Sequence, residues 1–158
     1  MKPNHKRAKK RVQVIPVWTY SQAVNALPYV TSIMKSLREH QLGAQQYELA
    51  ARRLEAKPGR PDRANLIDQE EARREAQRST KRFQQALEEL HSLGIFCLDA
   101  NRGEALIPFS QDQQLAWFVF DLFDSVPLRS WRFHSDPLET RRPVGEEQKG
   151  TGVSPQVA

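Results

Sequence analysis

The segment Lys57-Pro58-Gly59-Arg60-Pro61 constrains this chain more than any other, because it separates two long stretches that both carry helical periodicity. Upstream, Val30, Ile33, Met34, Leu37, Gln41, Ala44, Tyr47, Ala51 and Leu54 recur at three and four residues. They form one apolar stripe interrupted only by Gln41. Downstream, a second helix is predicted from near Asp62 to about Leu93, with Gly94 as its C-terminal stop. Its last third has a clear apolar face of Phe83, Ala86, Leu87, Leu90 and Leu93. Its middle, Asp68 to Arg82, is dominated by charge, with Ala72 and Ala76 as the small apolar positions. Glu70–Arg74 and Glu75–Arg78 stand at helical spacing there, each pair adding ~0.2–0.5 kcal/mol. A helix of about 30 residues rises ~45 Å. Five breaker residues oblige two such helices to lie antiparallel, as a hairpin over about 28–93 with an apolar base and a polar tip.

The lead-in is less regular. Alternation begins at Val12 and reaches Val17, where Pro16 limits it to an edge strand or an extended segment. Thr19 reads as a helix N-cap with Gln22 as its capping-box partner, Ser21 being the competing cap. Pro28 lacks an N–H and crowds the preceding turn, so a short helix ends near Leu27 or one helix kinks there.

After Gly94 the period changes. Ile95 to Leu98 and Ala105 to Phe109 read as short strands, with Ser110 to Gln114 as a polar loop. Leu115 to Phe123 reads as the strongest strand, paired with Val126 to His134 across Asp124-Ser125. A two-residue turn would set Trp117 opposite Arg132, and a four-residue turn would set it opposite His134. Either register puts Ala116, Phe118, Phe120, Leu122, Arg129, Trp131 and Phe133 on one face, expected to sit on the helix base. The other face carries Leu115, Trp117, Val119, Asp121, Phe123, Leu128, Ser130, Arg132 and His134. It calls for partial cover by the short strands or a partner subunit. The expected fold class is α+β: a long antiparallel helical hairpin packed at its base on a small, four-stranded, mainly antiparallel sheet. The expected organisation is a basic disordered arm at 1–16, one α+β domain at 17–140 and a disordered tail at 141–158.

Composition fits one domain. The 158 residues are 39% hydrophobic and 27% charged, enough for a core under a heavily ionised surface. No run approaches the ~18 apolar residues of a membrane span, and Met1 to Arg11 has no signal-like apolar stretch. The single Cys97 excludes an internal disulfide framework and a cysteine-based zinc cluster. A soluble cytoplasmic protein is expected. The net charge of +5 is local: Lys2, Lys6, Arg7, Lys9, Lys10 and Arg11 supply six of the 24 cations, leaving 18 against 19 acids.

Thr19 to Pro28, followed by two long helices, a Gly-Ile strand, a Gly-x-x-x-x-Pro strand and a tryptophan-bearing hairpin, resembles a bacterial family of unknown function, domain of unknown function 2203. The resemblance covers roughly Val17 to Pro143. Thr19, Ala23, Leu27 and Pro28 match its opening motif, with its asparagine one place away at Asn25. Gly94, Asp99, Gly103 and Pro108 match its turn and strand signals. Trp131 matches its tryptophan, and Arg141 or Arg142 with Pro143 its closing segment. In this alignment a family aspartate is replaced by Leu106 and a histidine by Arg132. A cysteine-tryptophan pair is replaced by Val119-Phe120 and a glutamate by Asp124. The resemblance implies the fold and carries no established activity.

Three functions follow from the residues. The leading expectation is a non-catalytic interaction or scaffold module, self-associating or binding a protein through the hairpin, whose alanine positions 44, 51, 72 and 76 permit close packing. The alternative is a nucleic-acid or ribosome accessory protein, with Lys2, Lys6, Arg7, Lys9, Lys10 and Arg11 contacting phosphates. The third is a small ligand-binding protein or enzyme with a pocket of Trp117, Asp121, Arg132, His134 and Asp136 on the C-terminal hairpin. No metal, cofactor or membrane is expected: in an antiparallel hairpin His40 lies beside about position 80 and His91 beside about 29, so they share no ion, and His5 lies in the arm. Cys97 sits in an apolar strand, where a thiol is inert, and no glycine-rich phosphate loop or Gly-x-Ser-x-Gly elbow is present.

Overall fold

A computed structural model describes residues 15–150. Helix α1 spans Tyr20–Glu55 and helix α2 spans Arg63–Ser92. They pack antiparallel, as Gly43 beside Ser79 and Asn65 bonded to the Leu54 carbonyl both require. Thr19 caps α1 through Gln22 N–H, with the Gln22 side chain returning to Thr19 N–H. Asp62 caps α2 through Asn65 N–H at 2.7 Å. Gly94, with φ +75°, ends the turn after α2.

Pro28 lies inside α1, which runs on through it. The helix therefore does not end near Leu27, the first of the two outcomes open at this proline. Ala23 before it and Val30, Ile33 and Met34 after it are all buried against the same core, so tertiary packing carries the helix through the proline.

Five strands follow: β1 Phe96–Asp99, β2 Glu104–Gln111, β3 Gln114–Asp121, β4 Ser130–Phe133 and β5 Arg142–Pro143. All neighbours are antiparallel, in the order β1-β2-β3-β4-β5. The expected loop at 110–114 is in fact a tight two-residue turn: Asp112 and Gln113 both have positive φ (51° and 64°), the geometry whose twist suits a hairpin. Trp117 pairs with Arg132, the register of the shorter of the two possible turns. The strands stop early, however, and residues 122–129 form a wider loop that turns Leu128 into the main core rather than the outer face. Gly103 (φ +68°) is needed in the β1–β2 turn, since a Cβ there would meet Leu122 Cβ at 2.6 Å.

The inner sheet face is the aromatic one anticipated. Ala116, Phe118, Phe120 and Trp131 join Val30, Ile33, Met34, Leu37 and Leu90 in one core. Phe109 stacks on Phe118 at 3.9 Å. Arg129 departs from that face and pairs with Asp124 at the surface.

Two expectations are corrected at the C-terminus. The sheet has five strands, not four, and residues 141–150 are ordered rather than part of a disordered tail. Arg142 and Pro143 pair with Trp131 and Ser130, the Trp131 indole donates to the Pro143 carbonyl, and Val144 packs on the core. Helix α3, Glu146–Lys149, follows, held by Gln111 donating to Glu147 at 3.1 Å. The basic arm expected at 1–16 lies outside the described residues up to position 14; Pro16 packs on Gly94, and Trp18 N–H donates to the Pro108 carbonyl. Pro108 is tolerated in β2 because that edge meets the lead-in instead of a longer β1.

Candidate functional site

Pairing across β3, β4 and β5 collects polar groups on the outer face of the sheet, away from the helices. Trp117 is 5% exposed, and its indole N–H donates to Nδ1 of His134 at 3.1 Å. Phe96 meets the Trp117 ring edge-on at 5.6 Å. Leu106, Trp117 and Val119 form a second, smaller core beneath this face, flanked by Leu98 and Leu115.

Arg132, opposite Trp117, is 3% exposed. Its Nη1 donates to the carbonyls of Phe133 and Asp136, both at 3.2 Å. Burial, and after it the nearby Arg141 guanidinium, pulls Arg132 below the ordinary arginine value, while the Asp136 carboxylate opposes the shift. A guanidinium remains charged regardless.

Asp136 accepts a two-pronged bond from Arg142 at 2.8 and 2.9 Å and another from Phe133 N–H at 2.9 Å. These bonds, the Arg142 one foremost, hold its carboxyl below the usual range despite some desolvation. Arg142 also lies over the rings of Trp131 and Phe133, at 5.4 and 5.0 Å. Arg141 reaches Glu104 at 3.4 Å. Because Arg141 flanks β5 and Glu104 opens β2, this pair crosses β3 and β4 over the outer face.

Of the five residues expected to form a pocket, Trp117, Arg132, His134 and Asp136 are therefore brought together. Asp121 is not: it shares their face but lies four residues, ~13 Å, along β3 from Trp117. It accepts from Phe123 N–H and so shapes its own turn. Arg141, beside Arg132 on this face, and Arg142, which its pairing with Trp131 puts on the opposite face, are residues that sequence reasoning misses; the double arginine before Pro143 is the signal that could find them.

Elsewhere the chemistry is sparse. Among the described residues no group of three or more histidine, cysteine or acidic side chains is arranged to hold a metal. Cys97 is half-buried, and burial followed by the Asp99 charge raises its pKa, which favours the unreactive thiol. No described helix is long and apolar enough to cross a membrane. The basic residues Lys2, Lys6, Arg7, Lys9, Lys10 and Arg11 lie outside the described residues.

The distal hairpin offers the other candidate surface. Beyond residue 45 of α1 only the alanines at 51, 72 and 76 are buried between the helices. Tyr47, Leu49, Leu66 and Ile67 are 40%, 48%, 51% and 52% exposed. Tyr47, Ala50, Leu54 and Ala72 floor a groove walled by Asp68, Glu71 and Glu75. Glu70–Arg74 and Glu75–Arg78 pair along α2 as their spacing foretold, and Arg73 joins the helices through Glu55.

The fold thus defines a small α+β protein built from a helical hairpin rooted on an antiparallel sheet. The chain belongs to the uncharacterised conserved protein family DUF2203, whose model matches residues 16–121. That match runs from the lead-in through β3; β4, β5 and the arginine cluster lie beyond it. No curated protein and no solved structure matches the chain.

Proposed function

We propose that this protein is a non-catalytic interaction module in which the distal third of the hairpin is the docking element and a second copy is its partner. One observation carries the reading: four large apolar side chains, Tyr47, Leu49, Leu66 and Ile67, stand open where the two helices share only alanine contacts. Two helices alone supply little buried area, and packing against another helical surface adds what is missing. On α2 the row Ile67, Glu70, Arg74 and Arg78 runs from acid near the tip to base further along, so an antiparallel copy would bring Glu70 opposite Arg78.

Sedimentation over a concentration series tests this. Assembly that increases with concentration, and is lost when Leu66 and Ile67 are both replaced by lysine, is the expected result. A single monomeric species throughout would remove the reading.

The basic residues 2–11 support a second reading, contact with nucleic-acid phosphates, through six cations unaccompanied by any acid. Deleting residues 1–11 should abolish RNA or DNA retention, and retention by the full chain should fall steeply with salt. Retention that survives high salt would reject it.

A further inference from the structure

Among the described residues, Nε of Arg132 is the one buried side-chain nitrogen or oxygen without a hydrogen-bond partner. A buried polar atom left in this state requires an explanation, and for a cation the requirement is stronger. The pattern of satisfied atoms is specific. Nη1 is committed to the Phe133 and Asp136 carbonyls, whereas Nη2, like Nε, bonds to no described residue. Nε and Nη2 together form the edge of a guanidinium that grips a carboxylate or phosphate with two parallel bonds. The nitrogen on the other side anchors the frame, and the fork stays open.

The surrounding charges favour an anion at this fork. No described carboxylate lies within ion-pair distance of Arg132, and the nearest acid in sequence, Asp136, is already gripped by Arg142. The pairing of Trp131 with Arg142 continues to Arg132 and Arg141, placing a second cation beside the first. Arg141 reaches Glu104 at 3.4 Å and donates from Nη1 to the Leu138 and Thr140 carbonyls, while Arg142 takes the Asp136 carboxylate on the side of Trp131, so Arg132 has no carboxylate of its own. A buried guanidinium with a second cation beside it is stabilised by an anion held between them.

We propose that the Nε–Nη2 edge of Arg132, with Arg141 alongside, is a binding site for a small oxyanion, a carboxylate or a phosphate, on the outer face of the sheet. The site goes beyond the docking role of the hairpin and does not depend on it. Two backbone carbonyls fix the guanidinium in advance, so little side-chain freedom is lost on binding. Access is from the Nη2 side, since Nη2 makes no bond and is nevertheless absent from the buried unpartnered atoms, so it meets solvent. The anion is either free in solution or an acidic side chain of another protein; the chemistry at the fork is the same.

Thermal melts of the full chain in inorganic phosphate, in acetate and with a triglutamate peptide, each against chloride at equal ionic strength, test the site. A saturable rise in melting temperature that chloride does not reproduce is expected. Response to phosphate or acetate identifies a free anion, and response to the peptide alone identifies a partner's acidic side chain. Arg141→Gln should weaken the apparent affinity by about tenfold. Arg132→Lys keeps the charge but loses the fork and should weaken it at least as much. Arg132→Met should fold, because it replaces an unpaired buried charge with an apolar chain of similar length, and should show no anion effect. The proposal is overturned if none of the three probes exceeds chloride, or if Arg132→Met responds as the wild type does.

Discussion

The two ends of the helical hairpin have the same secondary structure and very different interiors. At the base, Val30, Ile33, Met34, Leu37 and Leu90 are buried against a sheet face that contributes Ile107, Phe118 and Phe120. Toward the tip, Ala51, Ala72 and Ala76 are all that the helices bury between them, and larger apolar residues point outward. Helix formation is cooperative but draws most of its stability from packing, so the base anchors the arm and the tip is carried by it. The contrast also separates roles: the base holds the fold, and the tip presents surface.

Four measurements would break or sharpen that contrast. Phe118→Ala removes a ring that is fully buried and stacked on Phe109, and should cost about 3–5 kcal/mol in urea unfolding. Pro28→Ala restores a backbone donor inside α1 near the anchored end. It should stabilise the chain by about 1–3 kcal/mol, read by the same titration. Ala76→Gly, in the distal hairpin, should cost only about 1 kcal/mol. A loss at Ala76 as large as that at Phe118 would show that tip and base share the load equally, and the division of roles between them would fall.

The smallest effect is a pH dependence far from the hairpin. Arg142 holds the Asp136 carboxyl below its ordinary value, so this contact stabilises the fold above about pH 4 and is lost as pH falls through the lowered value. Melting curves of the wild type and Asp136→Asn should therefore differ near neutrality and converge in acid. A gap that widens in acid would contradict the assignment.

Much of this architecture is legible in the sequence for a physical reason: helix periodicity, caps and breakers are local signals. Thr19 with Gln22, Asp62 and Gly94 mark three helix ends, and the apolar stripe of α1 predicts its buried residues. Alternation likewise assigns the aromatic strand faces before the register is known, although the wide loop at 122–129 moves Leu128 and Arg129. Pro28 is ambiguous in the sequence because its outcome depends on packing contributed by residues far along the chain. Strand β5 is hidden there because two residues, one of them proline, carry no periodicity at all. The candidate site is half visible. Trp117, Arg132, His134 and Asp136 are close in sequence or paired in register, and they do meet. What no local pattern conveys is that Arg132 is buried and that Arg142, rather than Arg132, takes the Asp136 carboxylate. Both facts depend on β5.

The stretch matched by the family model closes at the last residue of β3, yet the core does not. Trp131 from β4 meets Phe109 edge-on, and Val144 packs beside it, so the aromatic wall is finished by chain that lies downstream of the match. A fragment trimmed to 16–121 would leave one flank of that wall facing water and an unpaired edge open to aggregation. A piece of this chain that folds by itself should accordingly extend to at least Val144, so that the aromatic wall keeps both its flanks.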